Sequence, residues 1–310
     1  MTGFAGAHLS SIIAERDDVS ELVGTHLSTS RGSLQPVHKK VRLVECDIRD
    51  SSQVEEVVSS SAPDVIYHCA AFVSVKRSFE NPALVFDTNV IGTINLFEAV
   101  RRASLDAKVM VPGSAEEYGR VEPSQMPIKE STPLAAKNPY GLSKIAQEKQ
   151  CQYYFETHGM KVFLSRTFHY TGPGQPTGFV CSDFAKQVAE MEKTSNDPVI
   201  SVGNLRAKRD FTDIRDVCRA YVHIVDEGRP GQAYNVCSGK SVAMSEVLET
   251  LVGMSSKKVK VEVDQSKMRP SDVPDFVGDN SRLRKETKWI PTIPVKTSLR
   301  DVLDFWRSKV

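Results

Sequence analysis

A strong charge of either sign is missing from this chain. Its 40 Lys and Arg against 39 Asp and Glu leave a formal net charge of +1 over 310 residues. Such a chain has no broad cationic field, which argues against general nucleic-acid binding. Long apolar runs are missing too: the stretches free of charge are short and broken by polar residues, so no transmembrane helix is expected. The opening Met1-Thr2-Gly3-Phe4-Ala5-Gly6 has neither the basic patch nor the apolar run of a signal peptide. Six cysteines (46, 69, 151, 181, 218 and 237) show no Cys-x-x-Cys or clustered Cys/His spacing. That argues against a metal site and against a disulfide framework, and for a reduced, cytoplasmic protein. Repeats and low-complexity linkers are absent as well.

What is present is ordinary for a soluble globular protein, with 40% hydrophobic and 25% charged residues. The length supports one large domain or two unequal ones. Strand-like runs at 21–24, 41–45, 65–68, 108–111 and 162–165 alternate with helical stretches at 52–59, 83–103 and 138–158. Alternation of that kind implies βαβ units and a parallel sheet, whose ligands sit at the carboxyl ends of the strands. Asp47, Ala70-Ala71, Ser114 and Thr167-Phe168-His169 each follow a strand and so line one edge. The turn-rich 171–178 takes the chain off the sheet. A helix at 183–194, a strand at 199–202, a basic stretch at 206–210 and a helix at 215–226 follow. Residues 233–236 return as a strand, and 244–253, 259–263 and 296–307 read as helix, strand and helix. The expectation is an α/β fold with a doubly wound parallel sheet and a smaller lobe made from two separated pieces.

Tyr140 and Lys144, four apart on a helix, lie on one face about a turn from each other. A free phenol has a pKa near 10, and a neighbouring ammonium favours the phenolate, which makes the Tyr a usable acid or base. The Ser114 hydroxyl is placed to hold a substrate oxygen beside it. Ahead of this, Thr2-Gly3-Phe4-Ala5-Gly6 is a glycine turn running into a helix, where backbone N–H groups can meet a pyrophosphate. No hydrophobic strand precedes that turn, and the third glycine of a G-x-x-G-x-x-G spacing is absent.

Taken in order, Thr2-Gly3-x-x-Gly6, Asp47-Ile48, His68-Cys69-Ala70-Ala71, Asn89-Val90-Ile91-Gly92-Thr93, Ser114 with Tyr140-x-x-x-Lys144, and Arg166 with Gly172-Pro173-Gly174 resemble the extended short-chain dehydrogenase/reductase family over essentially the whole chain. The resemblance implies a Rossmann-like fold with its first strand missing and an enzyme acting on nucleotide-activated sugars. Residues 1–168 plus 210–237 would bind the dinucleotide, and 169–209 plus 238–310 the sugar nucleotide. Further strings, among them Gly113–Gly119, Arg209-Asp210-Phe211-Thr212-Asp213 and Arg269-Pro270-Ser271-Asp272, are similar to the branch that reduces a GDP-linked 6-deoxy-hexose with NAD(P)H. On that resemblance Ser114, Tyr140 and Lys144 are catalytic. Gly3, Gly6, Asp47, Ile48, Ala70 and Ala71 join Tyr140 and Lys144 at the cofactor. Ser114, Glu116, His169, Val180, Lys186, Asn204, Arg209, Arg269 and Asp272 face the substrate. The end of the second strand lacks an acidic residue, with His26 and Arg31 nearby instead, which leans to NADP over NAD. His169 replaces a usual asparagine, and its charge near pH 6.5 would make substrate binding pH-dependent. A carboxylate at Glu116 also keeps a 4,6-dehydratase in view. The shortened glycine turn keeps in view a non-catalytic binding protein on the same fold. The family often dimerises through two long helices, here 83–103 and 138–158.

Overall fold

The structure, a computed structural model, describes residues 1–27, 38, 40–194, 199–255, 257–264 and 273–310. In chain order the first half runs α1 (Phe4–Ala14), β1 (Leu22–His26), β2 (Val41–Glu45), α2 (Ser51–Ser61), β3 (Val65–Tyr67), α3 (Val75–Ser78), α4 (Pro82–Phe86), α5 (Gly92–Arg102), β4 (Lys108–Ser114) and α6 (Pro139–His158). The second half runs β5 (Lys161–Thr167), β6 (His169–Thr171), α7 (Val180–Thr194), β7 (Val199–Val202), β8 (Lys208–Asp213), α8 (Ile214–Glu227), β9 (Ala233–Val236) and β10 (Ser241–Ala243). It closes with α9 (Met244–Gly253), β11 (Lys260–Val263), β12 (Asp275–Phe276), α10 (Ser281–Thr287) and α11 (Val295–Arg307).

Local chemistry sets the limits of the element that matters most. α6 starts where the Asn138 side chain accepts the Gly141 N–H and Pro139 fills the first turn. It stops at Gly159, which takes the left-handed conformation at φ 66°. β4 and β5 are nearly continuous apolar runs, as strands covered on both faces require.

The central sheet is parallel, in the order β3-β4-β5-β9. β1 and β2 form a separate parallel pair. On one face, α1 and α8 bury Leu9, Ile13, Val217 and Ile224 against Met110 and Phe163. On the other, α2, α5 and α6 bury Val54, Phe97, Val100 and Cys151 against Val109 and Leu164. Helices on both faces make the sheet doubly wound, as expected. A second core joins α7, α9 and α11 with the β7–β11 pair. Between the two lies a small sheet, β10-β8-β12, with β6 alongside β8.

Three expectations need correction. Residues 206–210 are not simply a basic stretch, because Lys208–Asp213 is β8, the middle strand of the small sheet. The alternating charges hid a strand whose last four residues are buried. Residues 83–103 are not one regular helix: a π turn, Asp87–Ile91, interrupts them. Finally, one helical run among the described residues, Pro82–Arg102, is long and apolar enough to cross a membrane by length and composition alone. Here Leu96, Phe97 and Val100 of that run are core residues against the sheet.

Candidate active site

The end of β4 and the start of α6 meet at the carboxyl edge of the central sheet. Ser114 is the last residue of β4, and its backbone is fixed by a reciprocal cap. The Ser114 N–H donates to Glu117 Oε1 at 2.6 Å, while its Oγ accepts the Glu116 N–H at 3.2 Å. Glycine at 113 is required by close approach. A Cβ there would stand 2.4 Å from the Ser165 carbonyl oxygen and 2.6 Å from Glu117 Oε1.

Tyr140 sits in the first turn of α6, buried, and shares a hydrogen bond with Ser114. Burial raises the phenol well above its ordinary pKa, and the Ser114 bond only partly offsets this. The expectation that Lys144 acidifies Tyr140 is therefore corrected. Lys144 Nζ donates to the Pro112 carbonyl at 2.9 Å and to Gln147 Oε1 at 2.7 Å. Burial lowers the ammonium to about 8 against the upward pull of a Glu117 charge. A neutral phenol suits an acid that delivers a proton to an alkoxide, because it stays protonated throughout the working pH range.

A network behind this pair escaped the sequence reading of the site, although its motif was visible. Gln147 Nε2 donates to Thr93 Oγ1 at 2.7 Å, and Thr93 also meets His68 Nε2 at 2.9 Å. Burial takes the His68 imidazole down to about 3, so it is neutral. Asn89, fully buried in the π turn, exchanges hydrogen bonds with both backbone groups of Phe72 and donates to Ser143 Oγ. It thereby ties the segment after β3 to the helix carrying Tyr140. The π turn, which points Asn89 inward, is the kind of local irregularity that marks functional sites.

Of the residues proposed for the cofactor, Gly3 and Gly6 lie at the start of α1, Asp47 and Ile48 follow β2, and Ala70 and Ala71 follow β3. Gly3 is the N-cap of α1 with no side-chain cap, and nothing stands within 4 Å of where its Cβ would be. An anion can approach the first-turn N–H groups there. Gly6 is packed on Met1, whose Cα would lie 2.9 Å from an added Cβ. Asp47 is held by Arg49 through Nε and Nη2, and Ile48 packs beneath Gly92. Ala70 and Ala71 follow β3 without regular structure. His26 ends β1, whereas Arg31 lies outside the described residues.

The substrate-side residues are more scattered. Glu116 reaches α6, where its Oε2 accepts from Asn138 Nδ2 at 2.9 Å. His169, on β6, faces Phe211 and Phe276. Burial, with the Arg209 charge beside it, lowers its imidazole to about 3. The expected charging of His169 near pH 6.5 is thus overturned: the ring is neutral, and substrate binding gains no pH dependence from it. Arg209 donates from Nη1 to the Lys208 and Val273 carbonyls. Val180 begins α7, Lys186 pairs with Glu190 and lies over the Trp306 ring, and exposed Asn204 accepts the Arg206 N–H. Of these, Val180 packs against the second core, and Lys186 lies on α7, which helps build it. Arg269 and Asp272 lie outside the described residues.

Four buried side-chain atoms among the described residues have no hydrogen-bond partner: Glu117 Oε2, His169 Nδ1, Thr212 Oγ1 and Asp275 Oδ1. The last three share the small sheet. Buried polar atoms left unpaired are costly, so their concentration on one sheet points to a polar ligand there.

Comparison with known proteins agrees with this geometry. Residues 1–302 match the family model described as GDP-mannose 4,6 dehydratase. The chain is 31% identical over 310 residues to GDP-6-deoxy-D-mannose reductase of Pseudomonas aeruginosa, covering 100% of this chain and 96% of that one. Among solved structures it resembles RMD from Pseudomonas aeruginosa complexed with NADPH, at 30% identity and TM-score 0.86, covering 100% and 97% of the two chains. It also resembles the Thermus thermophilus UDP-glucose 4-epimerase complex with NAD, at 26% identity and TM-score 0.87, with the same coverage.

Proposed function

We propose, from the premise that this chain belongs to the GDP-mannose 4,6 dehydratase family, that it reduces the C4 ketone of GDP-4-keto-6-deoxy-D-mannose with NAD(P)H to give GDP-D-rhamnose. The observation that carries this reading is the buried Ser114–Tyr140 pair at the sheet edge, with Lys144 one turn behind it, in a chain that matches a reductase along its full length. When bound, the reduced nicotinamide supplies the hydride.

The chain's own residues supply the rest. Ser114 Oγ holds the carbonyl oxygen, and Tyr140 delivers its phenolic proton to that oxygen as negative charge develops. Lys144, below its pKa of about 8, keeps a positive charge under the phenol and holds the nicotinamide ribose. Gly3 and the first turn of α1 receive the diphosphate of the cofactor, NADP by preference with NAD as the alternative. His169, Thr212 and Arg209 on β6 and β8 meet the GDP-sugar, with Arg209 as the diphosphate cation. The division into a dinucleotide unit (1–168 plus 210–237) and a sugar-nucleotide unit (169–209 plus 238–310), and a cytoplasmic location, belong to the same proposal.

The discriminating experiment is incubation of purified protein with GDP-4-keto-6-deoxy-D-mannose and NADPH, followed by mass analysis. A product two mass units heavier, formed as NADPH is oxidised, is expected; NADPH consumption without that product would refute the assignment.

Glu116 favours a second reading, a GDP-mannose 4,6-dehydratase, since its carboxylate stands two residues from Ser114 at the head of α6. GDP-mannose alone would then lose one water. A non-catalytic binding protein would instead fail to take up NADPH while remaining folded. The proposal includes a homodimer through residues 83–103 and 138–158, supported by exposed apolar side chains there: Ile91, Leu142 and Tyr153 are near half exposed. A monomer in sedimentation would remove it.

A further inference from the structure

Beneath the reacting corner the fold buries three charged side chains that no step of the proposed chemistry uses. Glu117 follows β4 and is 0% exposed, while Glu148 on α6 and Arg166 on β5 are 3% and 8% exposed. Arg166 forks onto Glu148, with Nε at 2.8 Å and Nη2 at 2.7 Å. Its Nη1 is taken by the Tyr118 hydroxyl and the Glu130 carbonyl. One buried cation is therefore matched by one buried anion.

Glu117 stands outside that match. Its Oε1 accepts the Ser114 N–H, but its Oε2 has no donor. Arg166 Nε is 3.8 Å away, beyond hydrogen-bonding reach, and both hydrogen bonds of Lys144 go to Pro112 and Gln147. Glu117 Oε2 and Glu148 Oε2 flank the same Arg166 Nε, at 3.8 and 2.8 Å, which brings the two carboxyl groups side by side. Two ionised carboxylates are both acceptors and repel; a proton between them turns the same contact into a strong, charge-assisted hydrogen bond. An ionised Glu117 would also be a buried anion with no donor on Oε2, the nearby Lys144 ammonium being bonded elsewhere, and proteins avoid that cost by retaining the proton.

We infer that Glu117 is a neutral carboxylic acid that donates its Oε2 proton to Glu148 while its Oε1 holds the Ser114 backbone, making it a positioning residue that adds no charge under Tyr140 and Lys144. The direction of its titration agrees. Burial first, and the Glu148 charge second, raise Glu117 well above the usual carboxylate range, whereas Arg166 holds Glu148 below it against the upward pull of burial. The titratable groups facing Glu117 are Glu148, Lys144, Tyr140 and Cys151 from α6, Arg166 from β5, and Tyr118 beside it. A negative charge at Glu117 would raise the pKa of both Tyr140 and Lys144. Neutrality removes the upward pull of a Glu117 charge and leaves burial to hold the Lys144 ammonium low.

The catalytic consequence rests on the reductase reading, but the protonation state does not, so the two are tested apart. Infrared spectra of the full chain carrying isotope-labelled glutamate are recorded at neutral and mildly alkaline pH. A protonated-glutamate carbonyl band that persists there, and is lost in Glu117→Gln, is expected; absence of the band from the native chain overturns the inference whether or not the enzyme turns over or the variant folds. In the reductase assay Glu117→Gln, whose amide can still accept from Ser114 and donate to Glu148, keeps kcat within about tenfold of the native value, since neither hydrogen bond is lost. The alkaline limb set by Lys144 stays in place. A downward move of that limb by about one unit would mean that a charge had been removed, and would sink the idea.

Discussion

The corner around Tyr140 and the small sheet around β8 are both buried and both polar, yet they treat their polar atoms in opposite ways. At the first, Ser114, Asn89, Lys144, Gln147, Thr93 and His68 each have partners inside the chain. Its one orphan atom, on Glu117, is satisfied by a single proton. At the second, His169 Nδ1, Thr212 Oγ1 and Asp275 Oδ1 remain unpaired. A saturated network fixes side chains in advance, which is what proton delivery at a set point needs. Unpaired atoms keep hydrogen bonds in reserve for a ligand, at some cost to the free protein. On the proposed function, the contrast houses chemistry and recognition in different sheets.

The largest effect that would test this contrast comes from Tyr140→Phe. It should lower kcat by roughly 10²–10⁴-fold, the usual worth of a positioned proton donor, with an unchanged near-ultraviolet dichroism spectrum. Retained turnover would remove the proton-delivery role from the first corner. Next is Glu148→Ala. It strips Arg166 of its forked partner and leaves a buried guanidinium unmatched, so a loss of about 3–5 kcal/mol in urea unfolding is expected. A milder loss would show that the corner is less rigidly knit than its geometry implies.

A smaller and opposite result is expected at the small sheet. Thr212→Val deletes a hydroxyl that has no partner, so stability should hold or rise by up to about 1 kcal/mol while KM for the sugar nucleotide increases. If stability fell instead, the hydroxyl would have an internal role and the contrast would fail. Smallest of all is His169→Asn. Since burial keeps His169 neutral with its pKa near 3, the variant should leave the dependence of KM on pH between about 5 and 8 unaltered. The alkaline limb of kcat/KM belongs to Lys144. Its ammonium is charged below about 8, so activity should be full at neutral pH and decline as pH rises through that value.

How far these features could be read in advance depends on what each one rests upon. α6 was legible because Asn138-Pro139 and Gly159 are start and stop signals carried by single residues. β9 matched residue for residue, since Ala233-Tyr234-Asn235-Val236 is a short uncharged run with an aromatic and a β-branched residue. The Ser114–Tyr140–Lys144 set followed from spacing on a strand end and a helix face. β8 was not legible, because Lys208-Arg209-Asp210 reads as surface charge until Asp210 is seen buried, accepting hydrogen bonds from Ser238 and Gly239. The π turn was hidden by an apolar run that suits a regular helix equally well. The states of His169 and Tyr140 were misjudged for one reason. Protonation follows desolvation, and sequence spacing carries no measure of how deeply a ring is covered.

The separation of the β1–β2 ladder from the four-stranded ladder has a consequence of its own. Among the described residues no rung joins them in the strand pairing, so breaking one ladder need not break the other. The two should exchange their amide protons as distinct cooperative units, with β1–β2 opening at the lower free energy. On the proposed function the strand that ends at His26 lies by the adenosine end of the cofactor, so its order would be lost before that of the four-stranded ladder and regained when a dinucleotide settles against it.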